Sequence, residues 1–270
     1  MGRKKQRQRQ KLLGIYLLPT LLTLGNLGAG FYAIMQTVYT LLDPANPRWE
    51  QACWAIVFAL VCDGLDGRIA RMTGTTSSFG MQLDSLADLV TFGVTPALMI
   101  YVRWLTGYPH TIWIVTLAFV VGVALRLARF NVQSGEEEGK GFTGMPCPAA
   151  ASVPISFMMV YDTYGSRFSN LTDANVRAFM PWLLLGLAYL MFSTVRYPSF
   201  KHLNLRRKYP LGSIVLLVTT GYVLIMAPAL FYFGGAVLYL TLPLLLLAFR
   251  PHRKLASEML AESGEPPVQG

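Results

Sequence analysis

CDGLDGRIARMTGTTSSFGMQLDSLADLVTF, running from Cys62 to Phe92, is the stretch that decides how this chain is read. It carries four aspartates, Asp63, Asp66, Asp84 and Asp88. Yet it lies inside two apolar runs, 51–72 and 82–105, each long enough to cross a bilayer core of about 30 Å. A carboxylate at membrane depth is expensive, and such groups mark functional sites.

Working outward, the same pattern of apolar runs fills the chain. Further candidate spans are 15–40, 111–131, 148–164, 178–195, 211–227 and 230–249. The reading is therefore an all-α, polytopic membrane protein of about eight transmembrane helices. Composition agrees, with 53% hydrophobic and only 14% charged residues, where soluble domains run near a quarter charged. The basic opening followed by an apolar run could imitate a secretory signal. That run is too long for one, with Gly28, Ala29 and Gly30 in its middle, so it reads as a retained first helix. Residues 1–14 form a basic cytoplasmic N-terminal segment, 15–250 one membrane domain, and 251–270 a polar, disordered tail.

Basic residues set the orientation, because Lys and Arg crowd cytoplasmic loops. With both termini cytoplasmic, 19 of the 23 Lys and Arg residues fall inside. Only Arg48, Arg103, Arg167 and Arg177 fall outside. The net charge of +9 becomes a collar at the inner face, serving topology or anionic membrane lipids. The apolar runs leave no soluble basic domain to carry nucleic acid, so no nucleic-acid partner is expected. Cys53, Cys62 and Cys147 show no close-spaced metal or redox pair. His110, His202 and His252 read as ordinary surface residues, and Asp162 and Asp173 as solvated groups flanking an outer loop. Pro146 and Pro148 shape the start of the fifth helix or gate the site.

Spacing sharpens the acidic segment. Asp63, Asp66, Gly67 and Ala70 recur at i, i+3, i+4 and i+7, one face of the second helix. Gly80, Asp84 and Asp88 recur every four residues, one stripe of the third. The Gly, Thr and Ser-rich turn 73–78 makes the two helices antiparallel, so the carboxylates can face one another near the cytoplasmic ends. Gly67 and Gly80 remove side chains where backbones, or a ligand, come close. Converging carboxylates stay ionised together only if cations neutralise them. A donor set of hard oxygens without His or Cys selects magnesium, manganese or calcium. Two divalent ions suit phosphate-ester displacement. The alternatives are helix caps, pairing with Arg68 and Arg71, or a cation pathway in a transporter.

The residues Asp63-Gly64-Leu65-Asp66-Gly67-Arg68-Ile69-Ala70-Arg71, then eight residues, then Gly80, Asp84 and Asp88, resemble the signature of the CDP-alcohol phosphatidyltransferases. Every fixed position of D-x2-D-G-x2-A-R-x8-G-x3-D-x3-D is met. Leu18–Phe31, Leu83–Ala97, Leu125–Val132 and Phe142–Ala151 are similar to the phosphatidylserine synthase branch, except that Thr20 stands where relatives often carry Asn. The resemblance implies transfer of the phosphatidyl group of CDP-diacylglycerol to L-serine at the cytoplasmic side of the inner membrane. It implies Mg2+ or Mn2+ as a divalent pair, with Ca2+ as a non-productive occupant. It also implies that Asp63, Asp66, Asp84 and Asp88 make up the metal site, with Asp88 near the ions and acting as general base. Asp66, Gly67, Ala70, Arg71 and Gly80 would shape the CDP-lipid pocket, and relatives imply a homodimer. Thr23 and Asn26, three apart on the first helix, reach the nucleotide or serve helix packing. Arg126 and Arg129 are candidates for the serine carboxylate, with Asn131 a weaker one. Glycerol 3-phosphate or an inositol phosphate as acceptor is the nearest alternative.

Overall fold

The computed structural model of the protein describes residues 2–74, 77–133, 144–167, 172–193 and 226–262. Among these residues every regular element is helical. The helices are α1 (Gly2–Leu42), α2 (Trp49–Thr73), α3 (Ser78–Leu105), α4 (Trp113–Gln133), α5 (Cys147–Tyr164), α6 (Asp173–Phe192) and α7 (Pro228–Glu262). Five helical segments are long and apolar enough to cross a membrane: Leu18–Leu42, Ser78–Leu105, His110–Val132, Asp173–Phe192 and Pro228–Leu245. α2 is as long as a span, at 25 residues, but carries the acidic residues in its second half. α5, at 18 residues, is short yet almost wholly enclosed. The expected span 211–227 lies essentially outside the described residues. α7 runs on to Glu262, where the sequence led us to expect disorder from 251. From Lys254 its extension reads KLASEMLAE, mostly good helix formers.

α1 and α2 form a hairpin and pack along each other more extensively than any other pair of described helices. Small residues allow this: Ala33, Ala52 and Ala59 are fully buried, and a Cβ at Gly25 would lie 3.6 Å from Cys62 Sγ. In lipid, such small-residue packing replaces the hydrophobic drive as the adhesive between helices. α2 stops at Gly74, whose φ of +64° suits a residue without a Cβ and lets its N–H cap the Ala70 carbonyl. Ser77 then caps α3, its hydroxyl accepting from the Gly80 N–H at 3.0 Å.

α3 is the central helix, with 56% of its most apolar window buried against 11–28% in the other candidate spans. Phe92, Met99, Ile100 and Trp104 from α3 meet Ile56, Phe119, Ile155, Met158 and Leu184 in one core. α3 contains π-helical turns at Leu89–Val94 and Tyr101–Leu105. In the first, the Thr95 N–H and hydroxyl both reach the Val90 carbonyl.

Asp162 and Asp173, expected to be solvated, are both engaged. Arg103 binds Asp162 at 3.2 Å among the rings of Trp49, Trp104 and Tyr161. The Tyr161 hydroxyl donates to Asp173 at 2.7 Å. Arg103 comes from another helix, 59 residues from Asp162, so local spacing gave no sign of the pair.

Candidate functional site

Two helices carry the acidic residues and a third supplies their hydrogen-bond partners. On α2, Asp66 is buried and Asp63, Gly67 and Ala70 are half-buried, while Gly64, Leu65, Arg68 and Arg71 are exposed. On α3, Asp88 is buried and Gly80 and Asp84 are half-buried, with Phe79, Gln82 and Leu86 exposed. The two acidic stripes therefore point inward, as their spacing predicts. Carboxylate oxygens of Asp63, Asp66 and Asp84 lie within 4.8 Å of one another. Asp88 stands beside this trio, its carboxylate held by a partner of its own.

That partner comes from α1. The Asn26 amide Nδ2 donates to Asp88 Oδ1 at 2.9 Å, and the Thr23 hydroxyl donates to Asp66 Oδ2 at 3.0 Å. Asn26 and Thr23 are 0% and 5% exposed. Both residues, singled out in the sequence for the nucleotide or for packing, meet the acidic cluster directly. Two hydroxyls bolt α3 to the same helix: Thr91 donates to the Asn26 carbonyl at 3.1 Å and Thr95 to the Gly30 carbonyl at 3.3 Å. Gly30 is the close approach, because a Cβ there would run into Thr91 Oγ1. Along α1 the partners on α3 rise in step, 26 with 88 and 30 with 95, so these helices run parallel. The partners on α2 fall, 23 with 66 and 25 with 62, so α2 runs opposite to both. α2 and α3 are therefore antiparallel, as the short turn predicts.

The glycines of the acidic stripes behave differently. A Cβ at Gly67 would meet only the Arg71 guanidinium at 3.6 Å, and one at Gly80 only its own cap, Ser77, at 3.1 Å. Among the described residues no neighbouring backbone approaches either, which leaves room for a ligand as the reason for a glycine there.

On the far wall the sequence candidates separate. Arg126 is half-buried and turned toward α5, its Nη1 donating to Cys147 Sγ at 3.5 Å, whereas Arg129 is exposed. The Arg126 Nε is buried with no hydrogen-bond partner. Asn131 is tied to Ser85 at 2.9 Å, fastening α4 to α3 beside the acidic stripe. Asn131 thus braces the wall, and Ser85, Thr91 and Thr95 are site-supporting residues that sequence reading missed. The available signal was Thr91 and Thr95, hydroxyl residues four apart in an apolar span.

Among the described residues no Lys or Arg nitrogen comes within 4.0 Å of the four carboxylates, so pairing with Arg68 or Arg71 does not explain them. Asp84 Oδ1 is buried without a hydrogen-bond partner. A buried acidic oxygen left unsatisfied is costly. Three clustered oxygen donors, one of them orphaned, fit a hard divalent cation.

Similarity to known proteins bears on what such a site belongs to. The family model described as CDP-alcohol phosphatidyltransferase matches residues 16–190. The chain is similar to a CDP-diacylglycerol–serine O-phosphatidyltransferase of Helicobacter pylori (strain J99), 36% identical over 187 residues, covering 69% of this chain and 74% of that protein. It is 33% identical to an archaetidylserine synthase of Methanothermobacter thermautotrophicus over 191 residues, 70% of this chain and 72% of that one. It is also 30% identical over 233 residues to a CDP-diacylglycerol–serine O-phosphatidyltransferase of Mycobacterium bovis, covering 84% and 77%.

Proposed function

The chain belongs to the CDP-alcohol phosphatidyltransferase family, and from that premise we propose that it moves the phosphatidyl group of CDP-diacylglycerol onto the hydroxyl of L-serine, releasing CMP. The observation that carries this reading is the inward convergence of Asp63, Asp66 and Asp84 beside Asp88. The names of the relatives, whose alignments cover about three quarters of their length, choose serine.

In this reading Asp63, Asp66 and Asp84 hold two divalent ions, magnesium or manganese, and Asp88 borders them. Bound there, such ions offset the carboxylate charge and that of a pyrophosphate. Gly67 and Gly80 leave open surface for the CDP group, and Ala70 and Arg71 complete its wall. Asp88 takes the proton from the serine hydroxyl. The serine oxygen forms its bond to the phosphorus carrying the diacylglycerol, the bond from that phosphorus to CMP breaks, and CMP departs. Arg126, with its unpartnered Nε, receives the serine carboxylate; exposed Arg129 and Asn131, already bonded to Ser85, are weaker candidates. The distribution of Lys and Arg supports a site facing the cytoplasm in the inner membrane, and family membership supports a homodimer.

The test is CMP release from CDP-diacylglycerol by the purified protein across a panel of alcohols, with and without chelator. Serine-dependent, chelator-sensitive release is expected. Release that follows glycerol 3-phosphate or an inositol phosphate instead removes serine. Absence of release, together with metal flux into liposomes, replaces the enzyme with a transporter. Asp88→Asn is expected to lower turnover by about 10²–10⁴-fold, and retention of a tenth of the activity or more removes Asp88 as the base.

A further inference from the structure

The carboxylate proposed as the base does not stand alone, and its support comes from a helix outside the acidic segment. Asn26 lies on α1 with no exposed surface. Its Nδ2 reaches Asp88 Oδ1 at 2.9 Å, while its Oδ1 is buried with no partner. An amide can be turned end for end, but here the turned form would set its oxygen against a carboxylate. Asp88 therefore fixes which way the amide points, and the amide fixes one oxygen of Asp88.

A buried amide leaving half its capacity unused is costly. Nothing in the packing of α1 requires it, since Leu has nearly the same shape. The backbone at the same residue is also pinned, its carbonyl accepting from the Thr91 hydroxyl at 3.1 Å. Thr91 sits one turn beyond Asp88 on α3, inside the π-helical turn. Asn26, Asp88 and Thr91 thus close a loop between two helices, a side chain meeting a side chain at one point and a hydroxyl meeting a carbonyl at the other. Such a loop sets both the distance of α1 from Asp88 and the rotation of the carboxylate.

We propose that Asn26 is the positioning residue of Asp88, holding Oδ1 so that the other carboxylate oxygen is presented to the acceptor hydroxyl, with Thr91 locking Asn26 in place. This rests on the reading of Asp88 as general base. On this assignment Asn26 acts through Asp88, so its effect falls on the rate of the chemical step and not on substrate capture.

The experiment uses the full-length enzyme in lipid nanodiscs with CDP-diacylglycerol and serine. Asn26→Leu keeps the shape and deletes the donor. The expected result is a fall in kcat of about 10- to 100-fold, the usual range for outer-shell partners of site residues, with KM for serine and for CDP-diacylglycerol within about twofold of wild type. In an Asp88→Asn background, followed at high enzyme concentration, Asn26→Leu should cost nothing further, because its action passes through that carboxylate. Thr91→Val, which deletes only a hydroxyl, should lower kcat by about fivefold and serves alone if Asn26→Leu does not fold.

A raised KM at unchanged kcat overturns the inference and returns Asn26 to substrate binding. An equal loss in wild-type and Asp88→Asn backgrounds makes its role merely structural, and so overturns it too. If Asp88→Asn itself stays active, the general-base reading has failed instead. If Asp88→Asn is inactive while Asn26→Leu and Thr91→Val keep full kcat, only the positioning role is lost.

Discussion

Gly30→Ala adds one carbon at the tightest contact between α1 and α3, and the consequences can be worked from distances. The new Cβ would lie 2.9 Å from Thr91 Cα and 3.0 Å from Thr91 Cβ, and would overlap the Thr91 hydroxyl. Carbon atoms rest at about 3.5–4.0 Å, so the helices must part by roughly 0.5–1 Å. Neither helix can relieve this by a rotamer change, because the collision involves backbone. Asn26 lies one turn away on the same face of α1. Its bond to Asp88, 2.9 Å, and its carbonyl's bond from Thr91, 3.1 Å, would stretch toward or past the limit for a useful hydrogen bond. Overpacking of this kind costs about 1–3 kcal/mol. If the Asn26 contact orients the base, kcat falls by about tenfold or more in addition. CMP release and thermal unfolding in nanodiscs read the two effects separately. Gly28→Ala is the control, since a Cβ there meets nothing within 4 Å, and gains up to about 1 kcal/mol of helix propensity. Wild-type kcat and melting temperature in Gly30→Ala would show that the α1–α3 contact does not hold the site.

Asp84→Asn should weaken Mn2+ binding, measured by calorimetry on the purified protein without substrate, by at least about tenfold; unchanged binding would separate the acidic trio from any ion. Arg126→Ala should raise KM for serine far more than KM for CDP-diacylglycerol, and the opposite pattern would place Arg126 at the nucleotide or the lipid phosphate. Chelator should abolish CMP release and a return of Mg2+ or Mn2+ should restore it, whereas chelator-resistant turnover would remove the divalent ions from the reaction.

The helical membrane architecture was legible because apolar run length and carboxylate spacing are local properties. Asp63 with Asp66, and Gly80 with Asp84 and Asp88, need only the helical period to be set on inward faces. What could not be read is what depends on distant partners. Thr23 meets Asp66 across 43 positions and Asn26 meets Asp88 across 62, so α1 becomes the brace of the site only once the chain folds. The same limit hid Arg103 and Asp162. It also hid the different environments of Arg126 and Arg129, which share a helical face by spacing but not by burial. The π-helical turn at Leu89–Val94 leaves no mark in apolar periodicity, because a helix underwound by one extra residue there still reads as an uninterrupted span.

Depth within the helices separates chemistry at an interface from passage of a cation. α2 and α3 are 25 and 28 residues long, about 37 and 42 Å. The aspartates stand about 9–15 Å from the turn that joins them, on the near side of both midpoints. Transporter sites lie near the bilayer midplane and open alternately to both faces. Beyond the cluster, α1 carries no charge from Thr23 to Leu42, α2 none between Glu50 and Asp63, and α3 no Asp, Glu, Lys or Arg between Asp88 and Arg103. That far stretch is filled by Phe92, Met99 and Ile100, each 0% exposed. Of the acids near its end, Glu50 and Asp162, the latter is already bound to Arg103. A cation leaving the cluster in that direction would meet no charged side chain on these stretches of α1, α2 and α3, only hydroxyl and amide groups such as Thr37, Gln36 and Thr40. A cluster set nearer one end of its helices than the other suits a reaction whose alcohol and nucleotide product are water-soluble and whose lipid phosphate sits at headgroup level.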